Sequence, residues 1–191
     1  MVPGNISLVW WGDKLVRLDG KSCLGVNVRN GKETAMFTAD QLNLWAGLTD
    51  EASKLKSVAG VSFPYATEPL VLVGNGEKRM LIDFKKHKVV WQQGSKGEEA
   101  ADWNAESRNV AFVKGDNLHV GLADGTTVKL TTDGSRDIVY GQSVHRNEFG
   151  ISKGTFWSHD GKKLAFYRMD QSMVADYPLV NIPELDFKPE G

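Results

Sequence analysis

One pattern, written three times, constrains this chain more than anything else in it. Phe63, six residues, then Leu70-Val71-Leu72 is the first copy; Trp103, six residues, then Val110-Ala111-Phe112 is the second. Trp157, six residues, then Leu164-Ala165-Phe166 is the third, with its turn spelled Ser-His-Asp-Gly-Lys-Lys. An apolar run this short, bounded by Gly, Asp and Asn, reads as a strand, and two such runs joined by a polar turn read as an antiparallel hairpin. A weaker copy starts at Trp11 and reaches Leu15 sooner. The starts at 63, 103 and 157 lie 40 and 54 residues apart. About 40 residues is the length of one four-stranded propeller blade. The pattern therefore predicts an all-β fold, a partial β-propeller of about three to four antiparallel blades with repeat starts near 11, 63, 103 and 157. A generic β-sandwich with accidental similarity is the alternative, and the identical spacing in three copies argues against it.

The chain between the copies has the same texture. Asn30-Gly31 and Asp124-Gly125 mark tight turns, and "NLHVGLADGTTVKL" alternates Leu118, Val120, Leu122 with Val128 and Leu130 across one of them. One segment departs from it. Thr38 followed three residues later by Gln41 is a capping-box signature. Leu42, Trp45 and the Leu44–Leu48 pair then recur at helical spacing, which predicts one short helix near 39–48. The six tryptophans, at 10, 11, 45, 91, 103 and 157, read as blade core. The third interval is 14 residues longer than the second, which places an insertion loop at about 131–153. Insertions in repeat folds map to loops, and binding groups concentrate there. The last copy stops after one strand and a Pro-punctuated tail, so residues 1–191 read as a truncated propeller portion with unpaired edges.

Composition narrows the function classes. The formal net charge is −1, with 23 basic and 24 acidic residues, so no electrostatic case exists for nucleic acid or an anionic membrane as partner. Cys23 stands alone, which removes an internal disulfide and any thiolate cluster, and it reads as a small buried strand residue. No run of about 18 apolar residues occurs, so no membrane helix is expected. "MVPGNISLVWWGDK" lacks a basic start followed by an apolar stretch, so no signal peptide is read. The histidines at 87, 119, 145 and 159 show no metal-ligand spacing, and "GNGEKR" is not a phosphate loop. No metal and no cofactor are expected.

Inside the insertion, Gly150-Ile151-Ser152-Lys153-Gly154 matches G-x-S-x-G, the nucleophile elbow of hydrolases. That motif needs a strand before the serine, a helix after it, and His and Asp downstream. Here a blade hairpin follows, and His159 in its turn is the sole downstream histidine. The match is read as accidental, and no catalytic residue is assigned. The remaining candidate is Glu148, which on spacing alone is a solvated loop carboxylate.

A resemblance raises it. The stretch "VYGQSVHRNEFGISKGTFWSHDGKKLAFYRMDQSMV", residues 139–174, resembles the N-terminal β-propeller of the dipeptidyl peptidase IV and prolyl tripeptidyl aminopeptidase family, serine exopeptidases of the prolyl-oligopeptidase type. Residues 1–90 are similar more loosely. The resemblance implies a following α/β-hydrolase domain carrying the catalytic Ser, Asp and His, absent from these residues, so the 191 residues alone are expected to hydrolyse nothing. It implies a proline-specific parent enzyme, a peptide substrate with a free N-terminus, a homodimeric parent and a periplasmic or secreted location. It implies that Glu148, in "VHRNEFGI", grips the substrate α-amino group, with Arg146 and Asn147 as neighbours. Dipeptidyl members present two adjacent acids, whereas Asn147 precedes Glu148 here, as in the tripeptidyl branch; a cleaved unit of two residues or three stays open. Arg79 is a candidate for the arginine that meets a substrate carbonyl. The competing reading is a non-catalytic propeller module that docks a protein or glycan.

Overall fold

The structure, a computed structural model, describes residues 6–143 and 151–175. It is a succession of antiparallel sheets in which strands pair with their neighbours in sequence, apart from one pair that closes around a hairpin. The first sheet runs in chain order through β1 (Ile6–Trp11), β2 (Lys14–Asp19), β3 (Ser22–Val26) and β4 (Glu33–Thr38), which leads directly into α1 (Ala39–Trp45). The second holds β5 (Leu70–Gly74), β6 (Lys78–Asp83) and β7 (Lys88–Gly94), extended by a bridge between Ser62 and Leu72. The third holds β8 (Glu99–Trp103), β9 (Val110–Lys114), β10 (Asn117–Gly121) and β11 (Thr127–Lys129). Beyond it, β12 (Ile138–Tyr140) pairs with β15 (Arg168–Asp170), enclosing the hairpin of β13 (Thr155–Trp157) and β14 (Leu164–Phe166). This is part of a β-propeller, open at both ends among the described residues.

The aromatic of each tryptophan copy has a common structural place. Trp11, Trp103 and Trp157 are each the last residue of the first strand of a sheet or hairpin. Trp103 lies opposite Val110, and Trp157 opposite Leu164, in the same register across a six-residue turn. In the third of these turns Gly161 has φ +64, a left-handed conformation that glycine adopts without a Cβ penalty.

Strand alternation then sorts each sheet into two faces. Val16, Leu18, Cys23 and Phe37 of the first sheet meet Val71, Val73, Met80 and Ile82 of the second in one core, closed by Trp11 and Phe84. A second core joins Ala111, Val113 and Leu118 to Tyr140, with Trp157 and Leu164 packed against it. Between the second and third sheets the seam is mixed. Trp91 and Trp103 lie 4.7 Å apart by ring centroid, Trp91 Nε1 donates to the Ala123 carbonyl, and Arg79 pairs with Glu98.

Two expectations need correction. The helix ends at Trp45, not 48: its start carries both bonds of the Thr38–Gln41 capping box, but Gly47 has φ +63 and breaks the helical run. Leu44 is consequently 77% exposed, while Leu48 is buried from outside the helix. The tryptophans are not uniformly core. Trp10, one residue from the buried Trp11, is 62% exposed because alternation in β1 turns it to the opposite face.

Candidate functional site

Arg146, Asn147 and Glu148 lie in the stretch 144–150, outside the described residues. The structure does describe the stem from which that stretch leaves and to which it returns. Gln142 forms an antiparallel bridge with Lys153, and the Ser143 amide donates to the Ser152 carbonyl at 3.2 Å. The stem is close because Gly154 has no side chain: a Cβ there would meet the Gln142 backbone N and C at 2.5 Å. The second glycine of G-x-S-x-G is thus a close-approach residue. Ser152 is exposed, and β13 rather than a helix follows it, so the elbow geometry is missing. The stem is locked to its surroundings on both sides. The Gly141 amide donates to the Tyr167 carbonyl, and the Tyr167 amide to the Gly154 carbonyl, each at 2.9 Å.

Asp102, the penultimate residue of β8, ties this stem to the third sheet. Its carboxylate accepts from Lys153 Nζ and from Thr155 Oγ1, both at 2.9 Å. Its carbonyl accepts from Trp157 Nε1 at 3.0 Å. Three donors on one strand segment, at 153, 155 and 157, therefore converge on one residue about 50 positions earlier, because alternation points all three the same way.

Beside the stem lies a second polar group. Tyr140, buried at the end of β12, donates its hydroxyl to Asp133 at 2.7 Å and accepts from Arg168 Nε at 3.1 Å. Arg168 also lies 3.5 Å from Asp133 and 4.0 Å from Asp170. The Tyr140 hydroxyl holds the Asp133 carboxyl below the usual carboxylate range and raises the Arg168 guanidinium, so both stay charged at neutral pH. A cleft of about 400 Å³ opens here, lined by Glu99, Asp116, Arg136, Tyr140, Gln142 and Gln171 among others. It has donors and acceptors of both signs, which suits a polar ligand better than an apolar one. The larger cavity, about 560 Å³, belongs to the first sheet, against Trp11, Val26, Met36 and Phe84, and shares no residue with the stem.

The sequence candidates and these residues are complementary. Reading along the chain did not single out Asp102, Lys153, Asp133, Tyr140 or Arg168, though Tyr140, Lys153 and Arg168 fall within the stretch that carries the resemblance. Asp102 had no local signal, since its partners are 51 to 55 residues away. Arg79 is not in this group. It is buried, paired with Glu98 and bonded to Gln93 at 3.3 Å, and so serves the seam between the second and third sheets.

Successive antiparallel sheets of two to four strands, the first two sharing one apolar core, define part of a β-propeller domain. Residues 76–187, more than half of the chain, match the dipeptidyl peptidase IV (DPP IV) N-terminal region family, and the chain belongs to that family. It is 38% identical over 85 residues to a protein of Talaromyces stipitatus named dipeptidyl-aminopeptidase B, covering 42% of this chain and 9% of the relative. A Verticillium alfalfae protein of the same name matches at 38% over 85 residues, 42% of this chain and 10% of the relative. Among solved structures, a Bacteroides ovatus protein described as a dipeptidyl aminopeptidase IV superposes with TM-score 0.72 at 36% identity, covering 94% of this chain and 26% of that one. Porphyromonas gingivalis dipeptidyl peptidase 4 shares the fold with TM-score 0.59 at 22% identity, over 92% and 26%. The chain thus spans about a tenth of the curated relatives it matches and about a quarter of the solved ones.

Proposed function

We propose that this chain is the substrate-anchoring propeller portion of a proline-specific serine exopeptidase, and that Glu148 captures the free amino terminus of the peptide substrate. The single observation that carries this reading is "HRNEFGI" itself, leaving a stem that is tied by backbone and side-chain bonds in a chain of this family. The named relatives are dipeptidyl enzymes, which favours a two-residue cleaved unit. The nucleophile would come from a C-terminal hydrolase domain of the complete polypeptide. A homodimeric, periplasmic or secreted parent belongs to the same proposal.

The physics of the site is the physics of counting from a chain end. A free α-amino group has a reference pKa of about 7.7–8.0 and is largely cationic at neutral pH. A carboxylate in a partly dry cleft makes with it a charge-assisted hydrogen bond of roughly 1.5–3 kcal/mol. An internal peptide has only a neutral N–H and would leave the carboxylate unpaired, so the same group that binds the right substrate rejects the wrong one.

In the complete enzyme, Glu148→Gln should lower kcat/KM for free-amine substrates about tenfold to two-hundredfold, that bond energy expressed as a rate ratio. Discrimination against N-acetylated substrates should shrink in parallel. Steady-state kinetics on a matched free and blocked pair decides it, and unchanged kinetics in the variant would end the proposal.

A further inference from the structure

The cavity of about 560 Å³ against the first sheet contains a glycine where the strand could carry a side chain. Strand register sets Gly25 of β3 between Val16 of β2 and Thr34 of β4, on the face that carries the core. Two residues along, the same face carries Leu18, Cys23 and Phe37, all buried. Gly25 is ordinary strand, not a left-handed turn. A Cβ there would meet Met36 Sδ at 3.5 Å and the Thr34 carbonyl at 3.8 Å, plain van der Waals contact. Neither backbone conformation nor close packing therefore requires glycine, and a glycine inside a strand costs stability. What its missing side chain leaves is room.

That room has an apolar floor and a cationic rim. Trp11 is fixed by its Nε1 bond to the Glu68 carbonyl at 3.0 Å and meets Phe84 edge-on at 5.2 Å, with Met36 and Val26 beside them. Lys14, Arg29 and Lys85 line the same cavity against a single acid, Asp13, in a chain whose net charge is −1. Lys14 Nζ stands 4.4 Å from the Trp11 ring centroid. Among the described residues, none of these three cations pairs with a carboxylate.

We infer that this cavity is a binding site for a small amphipathic carboxylate, whose apolar body lies over Gly25 on the floor of Trp11, Met36 and Phe84 and whose anion meets Lys14, Arg29 and Lys85. The volume falls within the range of small-molecule sites, about 300–1,000 Å³. The apolar body leaves water for the floor, and the carboxylate gives the unpaired cations charge-assisted hydrogen bonds. A neutral or cationic molecule of the same shape gains only the first of these. The site shares no residue with the stem of the 144–150 stretch and does not rest on the Glu148 reading.

The test is a titration of the full 191-residue chain with sodium octanoate, followed by the Gly25 amide and Trp11 indole signals in an NMR spectrum. Both should shift together and saturate with a Kd of about 1 mM or tighter, the affinity open to a ligand of this size. Octan-1-ol should bind at least about tenfold more weakly, and octyltrimethylammonium should leave both signals in place. Lys14→Met/Lys85→Met, at two exposed positions, keeps the apolar arms and should weaken octanoate about tenfold while octan-1-ol stays within about threefold. Gly25→Val should weaken both ligands about tenfold or more by filling the cavity, yet raise Tm by about 1–4 °C, because the strand accepts the side chain. A glycine kept for structure predicts a lower Tm. Octanoate that binds no better than octan-1-ol, that shifts signals away from Gly25 and Trp11, or that ignores the double variant would overturn the inference. If Gly25→Val does not fold, Gly25→Ala replaces it, and an alanine variant that melts below the parent overturns the inference as well. Self-association that Gly25→Val abolishes, with no octanoate shift, would give the cavity to a second copy of the chain instead.

Discussion

Cys23 has no solvent exposure in the middle of the first sheet, and burial pushes its thiol up to about 12. The protonated form is therefore the one the fold accommodates. With the folded value above the unfolded one, the contribution to stability is whole below the ordinary thiol value of about 8.5 and is lost as pH rises from there toward about 12. Between pH 8 and pH 10 the chain should lose about 1–2 kcal/mol more unfolding free energy than its Cys23→Ala variant, measured by urea denaturation at each pH. The same burial makes the thiol inert to a disulfide reagent until the first sheet opens. Cys23 shows what residue type alone can predict. A lone cysteine among valines and leucines is a small apolar residue wherever it is buried.

Elements are set by short-range rules, and the stem of the 144–150 stretch shows where those rules mislead. G-x-S-x-G is a five-residue motif with a strong chemical association, yet here its glycine is required by a backbone approach to Gln142. Gly154→Ala should destabilise the chain by about 1–3 kcal/mol, since the contacting atoms are backbone and cannot step aside. Ser152→Ala should stay within about 0.5 kcal/mol, because that side chain is exposed. Thermal unfolding of the two variants against the parent separates these outcomes. The helix is the converse case. Its capping box was legible from Thr38 and Gln41, since both bonds lie within three residues, but its end was not. Periodicity continued through Leu48, whereas the backbone had already turned at Gly47.

Across the whole molecule, what joins one sheet to the next is not uniform. The first and second sheets share an apolar core, while the seam between the second and third includes the buried Arg79–Glu98 pair. Removing one member of a buried pair leaves the other charge uncompensated, so Arg79→Met should cost about 3–5 kcal/mol of stability in denaturant titrations. Arg79→Met/Glu98→Leu should recover much of that loss, since an apolar pair of similar volume needs no compensation. A double variant no more stable than the single one would show that the pair contributes through geometry rather than charge. The sequence by itself determined the all-β class, the tryptophan repeat, the helix start and the burial of Cys23, because turns, caps and alternation act between residues a few positions apart. It marked Glu148 only through resemblance, and that residue lies outside the described structure. Tertiary structure alone decided that Trp11 is covered while Trp10 is open, that Arg79 serves a seam, and that Asp102 meets Lys153 across 51 positions. Each of these depends on which sheet face meets which neighbour, and no local pattern along the chain encodes that choice.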